Sequence, residues 1–359
     1  MSEKPIRVGI RGAAGLLGSR LGAAIHRTKD MSLEVGVVLL DQTLASVLNR
    51  CKLLGGYRDT LPRRMFLNSP NGGENKAVCR LNESQDTIAF ESASQLCWRA
   101  TCDVIVDTAY PAGKETFAEQ YRAFPGPIVL QDGASPEGRL IVPPLISPER
   151  NGQSNIYRMG DCILSGIIPI LYPFRDSAKS IRVHMVTQFD GKEAYYLIIE
   201  RATGMWIRAD LRTKVEHELQ ELFPKQEVRV QAVVQIPSLL HYVATIEFEL
   251  GMPMSHEDVH HLLRGVPRIQ MLPMDVTSTY DINLARSFSN SIAPIMVFDS
   301  GILPMRGERS TTVLVTAAIY YRTAAVLPNI DAIRMLVHGV DPIVAMQQTD
   351  LDMEFATTP

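Results

Sequence analysis

The spacing of apolar and polar positions changes partway along the chain. In the first part, short apolar runs stand between glycine-bearing turns and helical repeats. Ile6-Arg-Val-Gly-Ile10 is the first run. Leu17, Leu21, Ala24 and Ile25 then recur at helical spacing, and Leu33 to Leu40 is apolar again. Asp103 to Asp107 and Pro127 to Leu130 are two more runs. Each leads into a polar loop with glycine, Thr108 to Gly113 and Gln131 to Gly133. Apolar strands joined through helices predict a parallel sheet covered on both faces. The stretch Arg58 to Asn75, rich in Arg, Pro, Gly and Asn, predicts a surface loop. From about residue 162 the predicted strands are Ile181–Val186, Val228–Val234, Val243–Leu250 and Thr312–Tyr320. The last two contain period-two stretches, which suit a sheet with one covered face. Arg212 to Phe223 predicts a helix between strands, and Asn329 to Gln348 a final helix.

The turn after the first strand carries the first chemical signal. It reads Gly12-Ala13-Ala14-Gly15-Leu16-Leu17-Gly18, a GxxGxxG spacing between a strand and a helix. Gly12 permits the tight turn. Gly15 leaves room for a pyrophosphate at the backbone, and Gly18 lets helix and strand approach. The free N–H groups at the helix start then favour an anion. These features predict a Rossmann-type dinucleotide site. Asp41, at the end of the second strand, is placed to accept hydrogen bonds from ribose hydroxyls and to repel a 2′-phosphate. It points to NAD, with NADP the alternative; a solvated strand-end Asp is the plain reading. Thr108, after the Asp103–Asp107 strand, falls at the carboxyl edge where the cofactor lies.

Composition narrows the class. At 359 residues the chain has room for two domains, and a net charge of −3 offers no basic field for nucleic acid or an anionic membrane. The five cysteines form no CxxC pair, so the expected compartment is a reducing cytoplasm. No run has the length of a membrane-spanning helix, and the first residues enter a strand without a signal-peptide apolar region.

Cys162 is the second signal, in Asp161-Cys162-Ile-Leu-Ser-Gly166-Ile-Ile-Pro169. A cysteine before a small, apolar helix start has its thiolate favoured by the helix dipole. A thiolate can add to an aldehyde and pass through a thioester. Asp161 opposes this by raising the thiol pKa, and Pro169 limits where a helix begins. On these residues alone a buried structural cysteine is the plainer reading.

This segment resembles the cysteine turn of archaeal-type phosphorylating glyceraldehyde-3-phosphate dehydrogenases. So do Asp275-Val-Thr-Ser-Thr-Tyr-Asp281, Val326-Leu-Pro-Asn-Ile-Asp-Ala-Ile-Arg334 and the tail Ala345-Met-Gln-Gln-Thr349. The resemblance implies a nucleophilic Cys162 and a histidine base. Ile236-Pro-Ser-Leu-Leu-His241 matches the family's setting for that base with a one-residue gap, so Tyr242 is a rival to His241. It also implies that Asn329 lies near the nicotinamide and that the chain forms a homodimer or homotetramer. The resemblance departs at Ile163, Leu164 and Ser165, which replace the family's Asn and two Thr. It departs again at Thr187-Gln188, which stand where the family has two arginines for the substrate phosphate. Without that bidentate anchor the substrate need not be a triose phosphate; Arg201, Arg208 and Arg212 are other arginines that could take the place of the pair.

The expected fold class is α/β: an N-terminal Rossmann-type doubly wound parallel sheet plus a C-terminal α+β catalytic domain with a mainly antiparallel sheet. The expected domains are 1–161 with 329–359, and 162–328. The expected function is nicotinamide-dependent oxidoreduction of a small aldehyde or acyl-level substrate. The alternative is a cofactor-binding relative with a reshaped pocket, either another reductase or a non-catalytic partner protein. One motif competes. Ser255-His-Glu-Asp-Val-His-His261 has the zinc-protease spacing, with His256, Glu257 and His260. Val259, Leu262 and Leu263 form an apolar stripe and Ser255 is a good N-cap, so it reads as a solvated amphipathic helix, and no metal is expected.

Overall fold

A computed structural model describes residues 4–39, 62–68, 77–80, 87–93, 96–109, 121–131, 138–147, 155–188, 206–236, 241–280, 282–283, 292–320 and 324–355. The chain forms two compact units. One comprises Met1–Ile141, Glu149–Met159 and Val326–Asp341. The other comprises Val142–Pro148, Gly160–Ala325 and Pro342–Pro359.

The strands of the first sheet are β1 Ile6–Arg11, β2 Met31–Leu39, β3 Arg64–Asn68, β4 Ala77–Arg80, β5 Thr87–Ser92, β6 Val104–Asp107, β7 Ile128–Leu130, β8 Arg139–Val142, β9 Leu145–Ile146 and β10 Ile156–Met159. Their order is β4-β5-β3-β2-β1-β6-β7-β10-β8-β9. The run from β5 through β3, β2, β1, β6, β7 and β10 to β8 is parallel throughout, and β4 pairs antiparallel on β5. This is the doubly wound order, with its switch point between β1 and β6. Val8, Ile10, Val35, Val37, Ile105 and Val106 are fully buried, as continuous apolar strands in a two-sided sheet must be. α1 is Leu16–Ile25 and α2 is Trp98–Thr101.

β3 corrects the loop expected over 58–75. Met65, Phe66 and Leu67 are buried, and the strand lies between β2 and β5. Arg64 stays at the surface and forks onto Glu91 at 2.6 and 2.9 Å. Three consecutive apolar residues outweigh the flanking turn formers, because only a strand buries them together.

In the second unit, α3 Cys162–Leu171 and α4 Ala209–Leu222 accompany a mixed sheet. Its strands are β11 Ala178–Gln188, β12 Trp206–Ile207, β13 Glu227–Ile236, β14 His241–Ser255, β15 Ile269–Leu272, β16 Ile295–Phe298, β17 Leu303–Pro304 and β18 Arg309–Tyr320. The order is β12-β13-β11-β14-β18-β16-β15, with β17 on β18. β11–β13 and β15–β16 run parallel; the pairs β11–β14, β14–β18 and β16–β18 run antiparallel. Along β14, Tyr242, Ala244, Ile246, Phe248 and Leu250 are buried, while Val243, Thr245 and Glu247 are only half-buried. That is the one-covered-face pattern that the period-two stretch predicts.

α5 is His256–Arg264. The final helix expected over 329–348 is two helices, α6 Leu327–His338 and α7 Pro342–Asp352. Gly339, at φ 63°, ends α6 in the left-handed region, and Pro342 opens α7. The stretch expected to belong whole to the first domain is thereby divided. Val326–Asp341 sits in the first unit and Pro342–Pro359 in the second. There α7 is held by Asp350, whose Oδ1 accepts from Arg268 Nε at 2.9 Å with both side chains 4% exposed.

Candidate active site

The glycine turn leaves β1 at the switch point. Gly12 has φ +84°, and a Cβ there would lie 2.6 Å from Thr108 Oγ1. A Cβ on Gly18 would lie 2.2 Å from the Gly12 carbonyl oxygen, so helix and turn touch through bare backbone. The N–H groups of Gly12 and Ala13 donate to Val37 O, and Gly15 N–H donates to Gly12 O. Gly15 is the N-cap of α1 and supplies no side-chain acceptor, and the first turn holds no acidic residue. Leu16 and Leu17 open the helix, with Ala14 half-buried in the turn. The N-terminal amides of a ten-residue helix are thus presented without a capping side chain. The geometry fits a dinucleotide pyrophosphate, whose oxygens are the acceptors such amides take.

Thr108 follows β6 and is half-buried. Its hydroxyl donates toward Arg11 O at 2.9 Å and Gly12 O at 3.2 Å, bracing the turn. Beneath it lies a feature that strand periodicity gives no sign of. Arg11 and Asp107 are fully buried side by side, with Arg11 Nη1 donating to both carboxylate oxygens at 2.9 and 2.7 Å. Tyr121 donates its hydroxyl to Asp107 at 2.8 Å, and Ala109 N–H donates at 3.0 Å. Burial, and then the Asp107 charge, push the Tyr121 phenol well above its ordinary range. The available signal is a charged residue at the end of each of two apolar strands, Arg11 on β1 and Asp107 on β6.

Asn329, at the start of α6, is fully buried and exchanges amide hydrogen bonds with Gln131, at 2.5 and 3.4 Å. Gln131 directly follows β7, so this pair marks the carboxyl edge of the first sheet. Asp41 lies outside the described residues, as does Arg201.

In the second unit, Cys162 is the first residue of α3 and is half-buried. The nine residues after it, through Pro169 to Leu171, are buried. Asp161 is the N-cap, and its Oδ1 accepts from Ile163 N–H and Leu164 N–H at 3.0 Å each. Its Oδ2 lies 3.5 Å from Lys214 Nζ on α4. Tyr242 Oη donates to the carbonyl oxygens of Cys162 and Ile163 at 2.8 and 3.0 Å. A Cβ on Gly166 would lie 1.9 Å from that hydroxyl and 2.5 Å from Ile319 Cγ2, so glycine is required for the helix to seat on the sheet.

Register separates the two candidates for the base. Tyr242 pairs with Ile319 and both meet α3; His241 pairs with Tyr320, with ring centroids 5.4 Å apart. Alternation along a strand therefore turns Tyr242 toward the Cys162 helix and His241 to the opposite face. His241 is 5% exposed there. Arg208 is engaged by Asp210, at 3.0 and 2.8 Å, and by Gln235 at 2.8 Å. Arg208 holds the Asp210 carboxyl down at about 2.

The histidine motif forms α5. Ser255 Oγ accepts from Asp258 N–H at 3.1 Å and the Asp258 carboxylate accepts from Ser255 N–H at 2.8 Å, a capping box. Val259 and Leu263 are its buried residues, and His256 and His260 face Asp299, at 3.1 and 3.9 Å.

No protein-family model matches the sequence, and no curated protein matches it. Solved structures do share its shape. Aspartate semialdehyde dehydrogenase II from Vibrio cholerae aligns at TM-score 0.62 and 14% identity, covering 93% of this chain and 99% of that one. The same enzyme complexed with ASA aligns at TM-score 0.57 with the same identity and coverage. The likeness establishes the fold, a Rossmann domain with a second, mixed-sheet domain.

Proposed function

We propose that the chain is a nicotinamide-dependent oxidoreductase of small aldehydes, acting through a thioester on Cys162. The observation that carries this reading is Cys162 at the first position of a buried helix, in a fold shared along 93% of the chain with an aldehyde dehydrogenase. The glycine turn supports the cofactor half: α1 offers amides with no side chain on them. A bound nicotinamide supplies the hydride acceptor in one direction and the donor in the other. The chain's own part is the sulfur. The Cys162 thiolate forms a bond to the carbonyl carbon, and loss of hydride from that carbon leaves a thioester. Water or phosphate then cleaves the S–C bond and releases an acid or acyl phosphate.

His241 stands as a packed ring against Tyr320 in this reading, because its strand directs it away from α3. His241→Asn is then expected to keep most of the turnover. A loss of a hundredfold or more in kcat would return it to the role of base, a role typically worth about 10² to 10⁴.

The test is turnover on an aldehyde panel that includes aspartate semialdehyde, followed by nicotinamide absorbance, with an acyl-enzyme trapped at Cys162. Cys162→Ala is expected to abolish turnover and leave cofactor affinity unchanged. Full activity in that variant would remove the thioester. A second reading, a nucleotide-binding relative without this chemistry, is favoured by one observation. Asp161 already occupies the amides of Ile163 and Leu164, where an activated thiolate would draw support. Cofactor binding with no turnover across the panel would select it.

A further inference from the structure

The cap of α3 works against the thiol that follows it. Asp161 is a carboxylate side chain that sits on the helix's N-terminal amides and immediately precedes Cys162. A like charge nearby disfavours a thiolate. α4 brings a cation to the same place. Lys214 Nζ lies 3.5 Å from Asp161 Oδ2, and its side chain is 32% exposed. One turn along α4, the Glu218 carboxylate lies 4.0 Å from the same ammonium and is 2% exposed. Lys214 thus stands within ion-pair distance of two carboxylates, Asp161 at 3.5 Å and Glu218 at 4.0 Å. The charged and titratable groups around this turn, among the described residues, include Asp161 at the cap, Lys214 and Glu218 from α4, and the Tyr242 phenol from β14.

We propose that Lys214 is a positioning residue for Cys162: it holds the Asp161 carboxylate in its cap and offsets that charge, so the thiolate forms at lower pH than the cap alone permits. The inference rests on the reading of Cys162 as a reactive thiol. It concerns the ionisation of the thiol and not its turnover, and the two fail separately.

The experiment uses the full chain with no substrate or cofactor. The rate of iodoacetamide alkylation at Cys162 is followed against pH by mass spectrometry of its peptide. Buried Cys102, whose thiol burial pushes up to about 12, serves as the unreactive control. Lys214→Met, which keeps the apolar stem, is expected to raise the midpoint and slow alkylation at pH 7 by about threefold to tenfold. Lys214→Arg is expected to stay within about twofold of the parent, since it restores the charge. The double variant Lys214→Met with Asp161→Asn is expected to bring the midpoint back toward the parent. An unchanged midpoint in Lys214→Met overturns the proposal. So does an equal shift in Lys214→Arg, which would mark a packing effect. Asp161→Asn alone leaves α4 intact and is expected to lower the midpoint; a rise there also overturns it. Absence of turnover with these shifts intact would count against the thioester and leave Lys214's role standing.

Discussion

Two ten-residue helices, α1 and α3, begin in nearly the same way and end up with opposite electrostatics. The cap residues have almost one backbone geometry, φ −71° and ψ 167° at Gly15, φ −67° and ψ 172° at Asp161. Gly15 brings no side chain, so α1 keeps its N-terminal amides for an outside acceptor. Asp161 brings a carboxylate, so α3 is closed by its own sequence. The same half-charge of a helix N-terminus is thus left open at the start of α1 and taken up by the chain's own carboxylate at the start of α3. The amides at the start of α3 that would favour a Cys162 thiolate already serve Asp161. The cation on α4 stands 3.5 Å from the capping carboxylate, and in our proposal it offsets that charge.

The sharpest way to break the comparison is to turn α1 into α3. Gly15→Asp fits the existing dihedrals, and its Cβ would lie 3.1 Å from Gly12 O, which must give by a few tenths of an ångström. The new carboxylate would take the amides and repel a pyrophosphate. Losing two hydrogen bonds to a charged acceptor, at about 1.5 kcal/mol or more each, predicts a loss of cofactor affinity of about a hundredfold or more. Thermal stability should change little, since Asp and Gly differ as caps by a few tenths of a kcal/mol. Undiminished affinity in a nicotinamide fluorescence titration would show that α1 is not the anion site.

The reverse change acts on α3. Asp161→Ala removes the cap and is expected to cost about 1 kcal/mol, whereas Asp161→Asn keeps a capping oxygen and should cost much less. Denaturant midpoints at constant m-value check this pair. Equal losses would mean that the charge, rather than the hydrogen bonds to Ile163 and Leu164, holds the turn.

What was legible in the sequence follows the same division. The parallel strands around Gly12 were readable because a buried two-sided sheet forces continuous apolar runs, and the turn needs glycine at positions 12 and 18. Cys162 and Asp161 were readable as neighbours in sequence. Their electrostatics were not, because Lys214 and Glu218 stand on a helix some fifty residues away and periodicity carries no information about which helices meet. Nor was the choice between His241 and Tyr242 readable. The two are adjacent, and a one-residue uncertainty in register exchanges the faces of the sheet. β3 was obscured by its polar flanks, and the break at Gly339 by a repeat that continues on both sides of it.

Tyr242→Phe probes the other end of the α3 contact. It deletes the hydroxyl that the Cys162 and Ile163 carbonyls accept from, in a buried site. The expected loss is about 1 kcal/mol, or about 2 to 4 °C in Tm for a unit of this size. A larger loss accompanied by loss of turnover, with His241→Asn silent, would give the phenol a chemical role beyond anchoring.

The smallest expected effect comes from a third helix start, which separates charge from position. α5 also has a carboxylate at its N-terminus, but Asp258 lies inside the first turn and Ser255 holds the cap. The hydrogen bond from Ser255 N–H, and then the Ser255 side chain, hold the Asp258 carboxyl below its ordinary value. A carboxyl depressed in the folded state stabilises above its unfolded pKa, about 3.9 for Asp, and loses that contribution as pH falls through the folded value. The Tm difference between the parent and Asp258→Ala should therefore be level near neutrality and shrink below about pH 4. Ser255→Ala removes a neutral acceptor together with the weaker of the two Ser255 contributions that hold the Asp258 carboxyl down, so its Tm difference should shrink less across the same window. A difference for Asp258→Ala that persists undiminished into acid would mean that α5 is held by the geometry of its turn. The charge at Asp161 would then be the only one of the three helix starts left to explain by electrostatics.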